Sequence, residues 1–324
     1  MSIVAEFAAK LHEQTPRAAP RACEPVEYPS AAEHLYDIRA VIFDVYGTLV
    51  DYRKGEFGDR EATERSLLAA FGALIERFGV REHLLQMDAA AEPSRTLSDV
   101  YQGLIALDHQ RSRRRDIETP EVRIDRVWGL ILMMLKRHGF QPSALGLGED
   151  PDVARCMAYF YNFHALGRGF YPGVVDALAR LRGAGVALGI LSNAQFYTPI
   201  DLTLFARDQS DGRCDDYLEL FDSDLVFYSY EYRVSKPGRL LFEKLYNALY
   251  ELQILPSQTV FVGNSLAADI EPAGSAGMKT AFYCGDRRSA FLGDLAGSVT
   301  PDIAFHSYDE LPARIHLHGA GKEH

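Results

Sequence analysis

The chain has 324 residues, 47% of them hydrophobic and 24% charged, and a formal net charge of −11. This is the composition of a soluble globular protein long enough for a catalytic domain plus an inserted or appended one. It excludes a membrane span, which needs roughly 18 uncharged apolar residues in a row, and the negative charge opposes non-specific binding to nucleic acid. Cys23, Cys156, Cys214 and Cys284 are far apart with no Cys-x-x-Cys spacing, which argues for buried thiols and against a zinc site or disulfide scaffold. The N-terminus lacks a basic region followed by a sustained apolar stretch, so the expected location is cytoplasmic.

Residues 1–36 read as a short amphipathic helix followed by a loose segment with Pro16, Pro20, Pro25 and Pro29, an arm or linker. Residues 38–43 form the first strand. After a turn come helices at about 60–78, 96–114, 121–138 and 151–164. No strand signal of comparable strength interrupts them, so 52–167 reads as an all-helical insert.

From Tyr171 the pattern becomes helix, strand, helix, strand. Pro172-Gly173-Val174 opens a helix, and Gly183 to Gly185 stops it before a strand at 186–191. Further strands are expected at 225–228, 259–262 and 280–283, with a helix at about 239–252. The alternation predicts an α/β fold: a Rossmann-like, doubly wound parallel sheet with an inserted all-helical domain. The expected division is an arm (1–36), a catalytic core (37–51 and 168–316), a helical insert (52–167) and a tail (317–324). The glycines of 183–189 have the wrong spacing for a nucleotide fingerprint and precede a strand instead of following one.

Four strand ends each deliver a polar residue where open α/β sheets bind ligands. They are Asp44 after the first strand, Ser192-Asn193 after the second, Lys236 before Pro237, and Gly263-Asn264-Ser265-Leu266-Ala267-Ala268-Asp269 after the strand at 259–262. A carboxylate attacks only when ionised and aimed. A lysine within ~4 Å of Asp44 contributes about 4 kcal/mol of Coulomb attraction at an effective dielectric of ~20, before desolvation is subtracted. Ser192 and Asn193 are candidate donors to charge developing on the substrate. Tyr46 and Thr48, in the turn after Asp44, and Tyr197, close after Ser192-Asn193, are candidate substrate-binding or positioning residues. The cluster His109-Gln110-Arg111-Ser112-Arg113-Arg114-Arg115 reads as a solvated helix end.

The run Asp44-Val45-Tyr46-Gly47-Thr48-Leu49 resembles the first motif of the haloacid dehalogenase-like hydrolase superfamily, in which the Asp is a covalent nucleophile. Ser192-Asn193, Lys236-Pro237 and residues 263–270 resemble the second, third and fourth motifs. The resemblance covers 38–51 and about 168–285. It implies that the helical insert is a cap domain that sets the substrate, and that Asp44 forms an ester which water resolves.

Superfamily phosphatases usually carry a second Asp, a general acid and base, at the position of Tyr46; 2-haloacid dehalogenases usually carry Tyr. In a phosphatase, Mg²⁺ would be held by Asp44, the Tyr46 carbonyl, Asp269 and Asn264, the last standing where a carboxylate is common. A halide leaves without a proton, and dehalogenases need no cofactor. The resemblance therefore favours hydrolytic displacement at a carbon centre of a small anionic substrate. A Mg²⁺-dependent phosphatase is the alternative, supported by the 263–269 spacing, and a non-catalytic binding or regulatory member is the third reading. Leu266 stands where dehalogenases have an Asn that helps activate water.

Overall fold

The computed structural model describes residues 2–15, 22–52 and 60–317. The chain divides into two compact units, one of residues 1–19 and 52–168, the other of residues 20–51 and 169–324. Among the described residues no helix is long and apolar enough to cross a membrane.

The first unit is helical: α1 (Ile3–Gln14), α2 (Arg60–Phe78), α3 (Arg81–Met87), α4 (Pro93–Arg113), α5 (Ile124–Arg137) and α6 (Asp150–Leu166). In α1 the Ser2 hydroxyl accepts from the Ala5 amide, and Val4, Phe7, Ala8 and Leu11 recur at helical spacing on one buried face. That face packs on α6, where the His12 ring nitrogen meets the Tyr159 hydroxyl at 2.9 Å. The N-terminal helix, expected as part of an arm, thus belongs to the helical unit. Helix α6 is its axis, packed by α2 and α5 and burying Cys156, Met157, Tyr159, Phe160 and Tyr161. Phe71 stacks on Tyr161 with ring centroids 4.2 Å apart, and Tyr101 and Trp128 complete the aromatic centre. Arg111, Arg113, Arg114 and Arg115 are exposed at the end of α4.

The second unit is built on a sheet. Its elements are β1 (Leu35–Ile38), β2 (Ala40–Phe43), β3 (Val50–Tyr52), β4 (Arg168–Phe170), α7 (Val174–Gly183), β5 (Ala187–Ser192), α8 (Thr198–Gln209), β6 (Val226–Tyr228), α9 (Ser229–Tyr232), α10 (Arg239–Glu251), β7 (Thr259–Gly263), α11 (Glu271–Ser275), β8 (Lys279–Tyr283), β9 (Ile303–Phe305), α12 (Leu311–Arg314) and β10 (Ile315–Leu317). The short β3–β4 pair lies where the chain passes from one unit to the other. Six strands form one parallel sheet in the order β6-β5-β2-β7-β8-β9.

Because side chains alternate along a strand, each face of this sheet buries its own core. Val41, Phe43, Val260 and Val262 meet Leu178 of α7 and Leu202 and Phe205 of α8, while Ala40, Ile42 and Phe261 meet Leu241, Leu245 and Leu249 of α10. Near-continuous apolar strands are the sequence signature of such double burial. The chain leaves β2 for β5 and β6 on one side and returns for β7, β8 and β9 on the other, so the direction reverses beside β2. A crevice at the carboxyl ends of strands opens at such a point.

Two further sequence expectations change. The first strand breaks at Arg39: residues 35–38 pair in parallel with β10, and only 40–43 enter the main sheet. Asp37 takes a left-handed φ of 63°, and the Arg39 amide turns to the Gln258 carbonyl. The segment bearing Pro25 and Pro29 is not loose. It is tied along β8 and β9 by Val26 N–H to the Cys284 carbonyl, and by Ala31 and Ala32 N–H to the Pro301 and Asp302 carbonyls. Pro16, Pro20 and the tail beyond Leu317 lie outside the described residues. Helices α3 and α8 and strand β9 had no sequence signal strong enough to mark them. The four cysteines are free, three buried and Cys23 half-buried.

Candidate active site

Strand β2 ends at Phe43, and the Asp44 amide is fixed to the Val262 carbonyl of β7 at 2.9 Å. The turn that follows is held by Val50 N–H to the Val45 carbonyl and Gly47 N–H to the Val50 carbonyl, both 2.8 Å. Gly47 has φ of 84°, and a Cβ there would lie 2.3 Å from Asn264 Nδ2. Conformation and space therefore both require glycine.

The two oxygens of Asp44 face different surroundings. Oδ1 accepts from Lys236 Nζ at 2.7 Å and from Ser192 Oγ at 3.0 Å. Oδ2 receives Thr48 Oγ1 at 3.2 Å. Lys236 Nζ also donates to Asp269 Oδ1 at 2.6 Å, and Asp269 Oδ2 accepts the Ser265 amide at 3.0 Å. Asp44, Lys236 and Asp269 are all buried, with 6%, 5% and 1% exposure. Burial works against the Lys236 charge, yet Asp269 and Asp44 outweigh it and hold the ammonium above its usual range. For Asp269 burial wins and raises the carboxyl to about 6, with Lys236 pulling it back down and Asp44 adding to the rise.

The site residues from the four strand ends and their loops thus converge in the sheet unit. Ser192, read from the sequence as a donor to the substrate, donates to Asp44 Oδ1, and it also accepts the Val45 amide at 3.3 Å. Asn193 has a different task from the one anticipated. Its Oδ1 accepts the Lys236 amide at 2.6 Å and its Nδ2 donates to the Lys236 carbonyl at 3.2 Å, so it clamps the lysine loop. Tyr46 shares a hydrogen bond of 2.8 Å with Thr198 at the start of α8. Tyr197 is buried beside it, edge-on to Phe196.

Thr198, Ser289 and Tyr308 escaped the sequence reading. The Tyr308 hydroxyl donates to the Thr48 carbonyl at 2.8 Å, and the Ser289 carbonyl accepts from Asn264 Nδ2 at 2.5 Å. Ser289 and Tyr308 stand 241 and 260 residues after Thr48, with no motif around them to mark the contact.

The side chains present fit a phosphatase-type Mg²⁺ poorly. Asn264 turns Oδ1 to Thr48 Oγ1, 3.0 Å away, and commits Nδ2 to the Ser289 carbonyl. A carboxylate at 264 would set an oxygen against that carbonyl oxygen. Both Asp269 oxygens already take protein donors. Among the described residues no group of three or more His, Cys, Asp or Glu is placed to hold a metal ion.

A family model for haloacid dehalogenase-like hydrolases matches residues 38–277, most of the chain. The chain belongs to this family. The haloacid dehalogenase-like hydrolase shares its fold with a 2-haloacid dehalogenase from Pseudomonas syringae pv. Tomato DC3000, at 18% identity and a TM-score of 0.53 over 85% of this chain and 97% of that one. Also similar are a HAD phosphatase from Thermococcus onnurineus (18% identity, TM-score 0.45, 85% and 97% covered) and an L-2-haloacid dehalogenase from Xanthobacter autotrophicus with chloropropionic acid covalently bound (19%, 0.42, 85% and 97%). No curated protein matches the chain. As a member of this family the protein is a hydrolase.

Proposed function

We propose that Asp44 is a covalent nucleophile that attacks a carbon centre of a small anionic substrate, displacing halide from a 2-haloacid. The carrying observation is Tyr46. Its phenol is bonded to Thr198 where a phosphatase would use a carboxyl to protonate an alkoxide. General acid catalysis contributes ~10² to 10⁴-fold, and a halide needs none. Lys236 and Ser192 bind Oδ1, which orients the carboxylate and leaves Oδ2 as the attacking atom. Oδ2 forms the bond to carbon as the halide departs with the bonding pair, and water then attacks the ester at the Asp44 carbonyl carbon. The bond from the carbonyl carbon to the substrate oxygen breaks, that oxygen takes one proton of the water as the 2-hydroxyacid leaves, the other proton passes to solvent, and the carboxylate is restored.

The test is hydrolysis of 2-chloropropionate in heavy-oxygen water. Label appears in the Asp44 carboxylate after repeated turnover, and Asp44→Asn releases no chloride. Turnover with no label in Asp44 rules the mechanism out. A phosphatase reading is favoured by one feature, the seven-residue spacing from Gly263 to Asp269 that resembles the phosphatase motif. Release of phosphate from a panel of monoesters, dependent on Asp44 and abolished by chelator, would establish it instead.

A further inference from the structure

Thr48 has one hydroxyl proton and two oxygens within reach. Its Oγ1 lies 3.2 Å from Asp44 Oδ2 and 3.0 Å from Asn264 Oδ1. Neither oxygen can donate in return when Asp44 is ionised, so the two compete for a single proton. Asn264 cannot relieve this by turning its amide, because Nδ2 donates to the Ser289 carbonyl and rotation would set oxygen against oxygen there.

Ser289 is itself held in place. Its amide and its hydroxyl both donate to the Asp286 carbonyl, at 3.0 and 3.2 Å. The Tyr171 hydroxyl lies 3.1 Å from Ser289 Oγ and donates to Asp286 Oδ2 at 3.0 Å, and Arg288 Nη2 binds the same carboxylate oxygen at 2.8 Å. Burial pushes the Tyr171 phenol up, so it remains a donor. This buried chain exists in the sheet unit, and nothing in the reaction itself uses Tyr171, Asp286 or Ser289.

We propose that Asn264 is the second acceptor for the Thr48 hydroxyl, a positioning residue that lets Thr48 release Asp44 Oδ2 as that oxygen attacks. The inference rests on the reading of Asp44 as nucleophile. In the free enzyme the anionic carboxylate is the stronger acceptor and draws the hydroxyl. As the bond from Oδ2 to carbon forms, the negative charge leaves with the halide, and the hydroxyl turns to Asn264 Oδ1. No proton is transferred, and Thr48 stays a hydroxyl throughout. Asn264 thus stands at a position built for an amide: its oxygen serves Thr48 while its nitrogen satisfies the Ser289 carbonyl.

The experiment is a double-mutant cycle of wild type, Thr48→Val, Asn264→Ala and the double variant, read as chloride release from 2-chloropropionate. Asn264→Ala lowers kcat by ~10-fold or more with KM within about threefold, and the same change in the Thr48→Val background costs less than about twofold. Thr48→Ser, which keeps the hydroxyl, retains the sensitivity to Asn264. Equal losses in both backgrounds overturn the coupling, because a merely structural asparagine does not depend on the Thr48 hydroxyl.

A substrate-free arm separates this inference from the proposed reaction. Asn264→Asp, nearly isosteric with wild type, melts below Asn264→Ala because it faces the Ser289 carbonyl with an oxygen. Melting at the wild-type midpoint overturns the amide lock even if chloride is released. A protein that melts as expected but neither releases chloride nor labels Asp44 upholds the lock and sinks the proposed reaction together with the Thr48 exchange.

Discussion

The two sides of the Asp44 carboxylate are built on opposite principles. On the Oδ1 side stand an ammonium and a second carboxylate, both buried, together with the Ser192 hydroxyl. On the Oδ2 side stand the Thr48 hydroxyl and the Asn264 amide behind it, and in the same turn the Tyr46 phenol is bonded to Thr198, all without charge. Charge here holds and aims a buried carboxylate through Oδ1, whereas neutral groups set the surroundings of Oδ2. A charged side is costly to break because each ion depends on the others. A neutral side is cheaper to break but more sensitive to geometry.

The largest effect is therefore expected from Lys236→Met, which leaves Asp44 and Asp269 as uncompensated buried charges. Breaking a buried ion pair from one side costs about 3–5 kcal/mol, measurable by urea unfolding, and chloride release falls to background. Adding Asp269→Leu recovers part of the stability and none of the activity. If Lys236→Met folds as stably as wild type, the charged side does not have the interdependence described.

Next comes Gly47→Ala on the neutral side. The left-handed φ and the approach to Asn264 both resist a methyl group. Strain at such a backbone position costs of order 1–3 kcal/mol, and here the displaced Asn264 takes turnover down with it. A variant that loses stability and keeps kcat would show that the Asn264 contact does not bear on the chemistry.

The pH profile separates stability from activity on the charged side. Burial places the Asp269 carboxyl at about 6 in the folded protein, above its ordinary value of 3.8. The folded state therefore binds this proton more tightly than the unfolded chain. Its contribution to stability is fully present below about pH 4 and is lost as pH rises through about 6. In the proposed reaction activity moves the other way, since a neutral Asp269 leaves the ammonium to Asp44 alone and would make that carboxylate a weaker nucleophile. The expected limb is a fall in kcat/KM below about pH 6. Lys236, held above its usual range, adds no loss on the alkaline side below its ordinary pKa of 10.5. An acid limb that persists unchanged in Asp269→Asn would assign it to another group.

Smaller still is Tyr46→Phe, which removes the hydroxyl bonded to Thr198. The loss expected is that of one hydrogen bond, about 0.5–1.5 kcal/mol, with a fall in kcat below tenfold. The smallest is Leu130→Ser, on the exposed face of α5 in the helical unit. An exposed substitution of this kind stays within about ±0.5 kcal/mol and serves as the baseline for the others in thermal melts.

Much of the charged side was legible in the chain. Asp44, Ser192, Lys236 and Asp269 each follow an apolar strand or its loop, and strand ends in a parallel sheet converge at one crevice, so their meeting follows from the alternation of elements. The strands themselves could be read because burial on both faces demands unbroken apolar runs such as Val260-Phe261-Val262. The neutral side was only half legible. Tyr46 and Thr48 lie in the motif, but Thr198, Ser289 and Tyr308 reach the site from loops and helix ends that carry no periodic signal. Asn193 was read as a donor to the substrate, whereas its amide holds the Lys236 backbone, since nothing in a Ser-Asn pair tells which of the two it faces.

The sequence by itself determined the doubly covered parallel sheet, the helical insert and the set of charged residues gathered at the strand ends, because local periodicity and strand order are enough to dictate these. Only the tertiary structure decided that α1 packs on α6, that residues 35–38 leave the main sheet for β10, and that Asn264 is turned with its oxygen to Thr48. Those outcomes depend on contacts between residues tens to hundreds of positions apart. There the choice between one hydrogen-bond partner and another is made by what lies across the gap, the Ser289 carbonyl in the case of Asn264, and no local pattern carries that information.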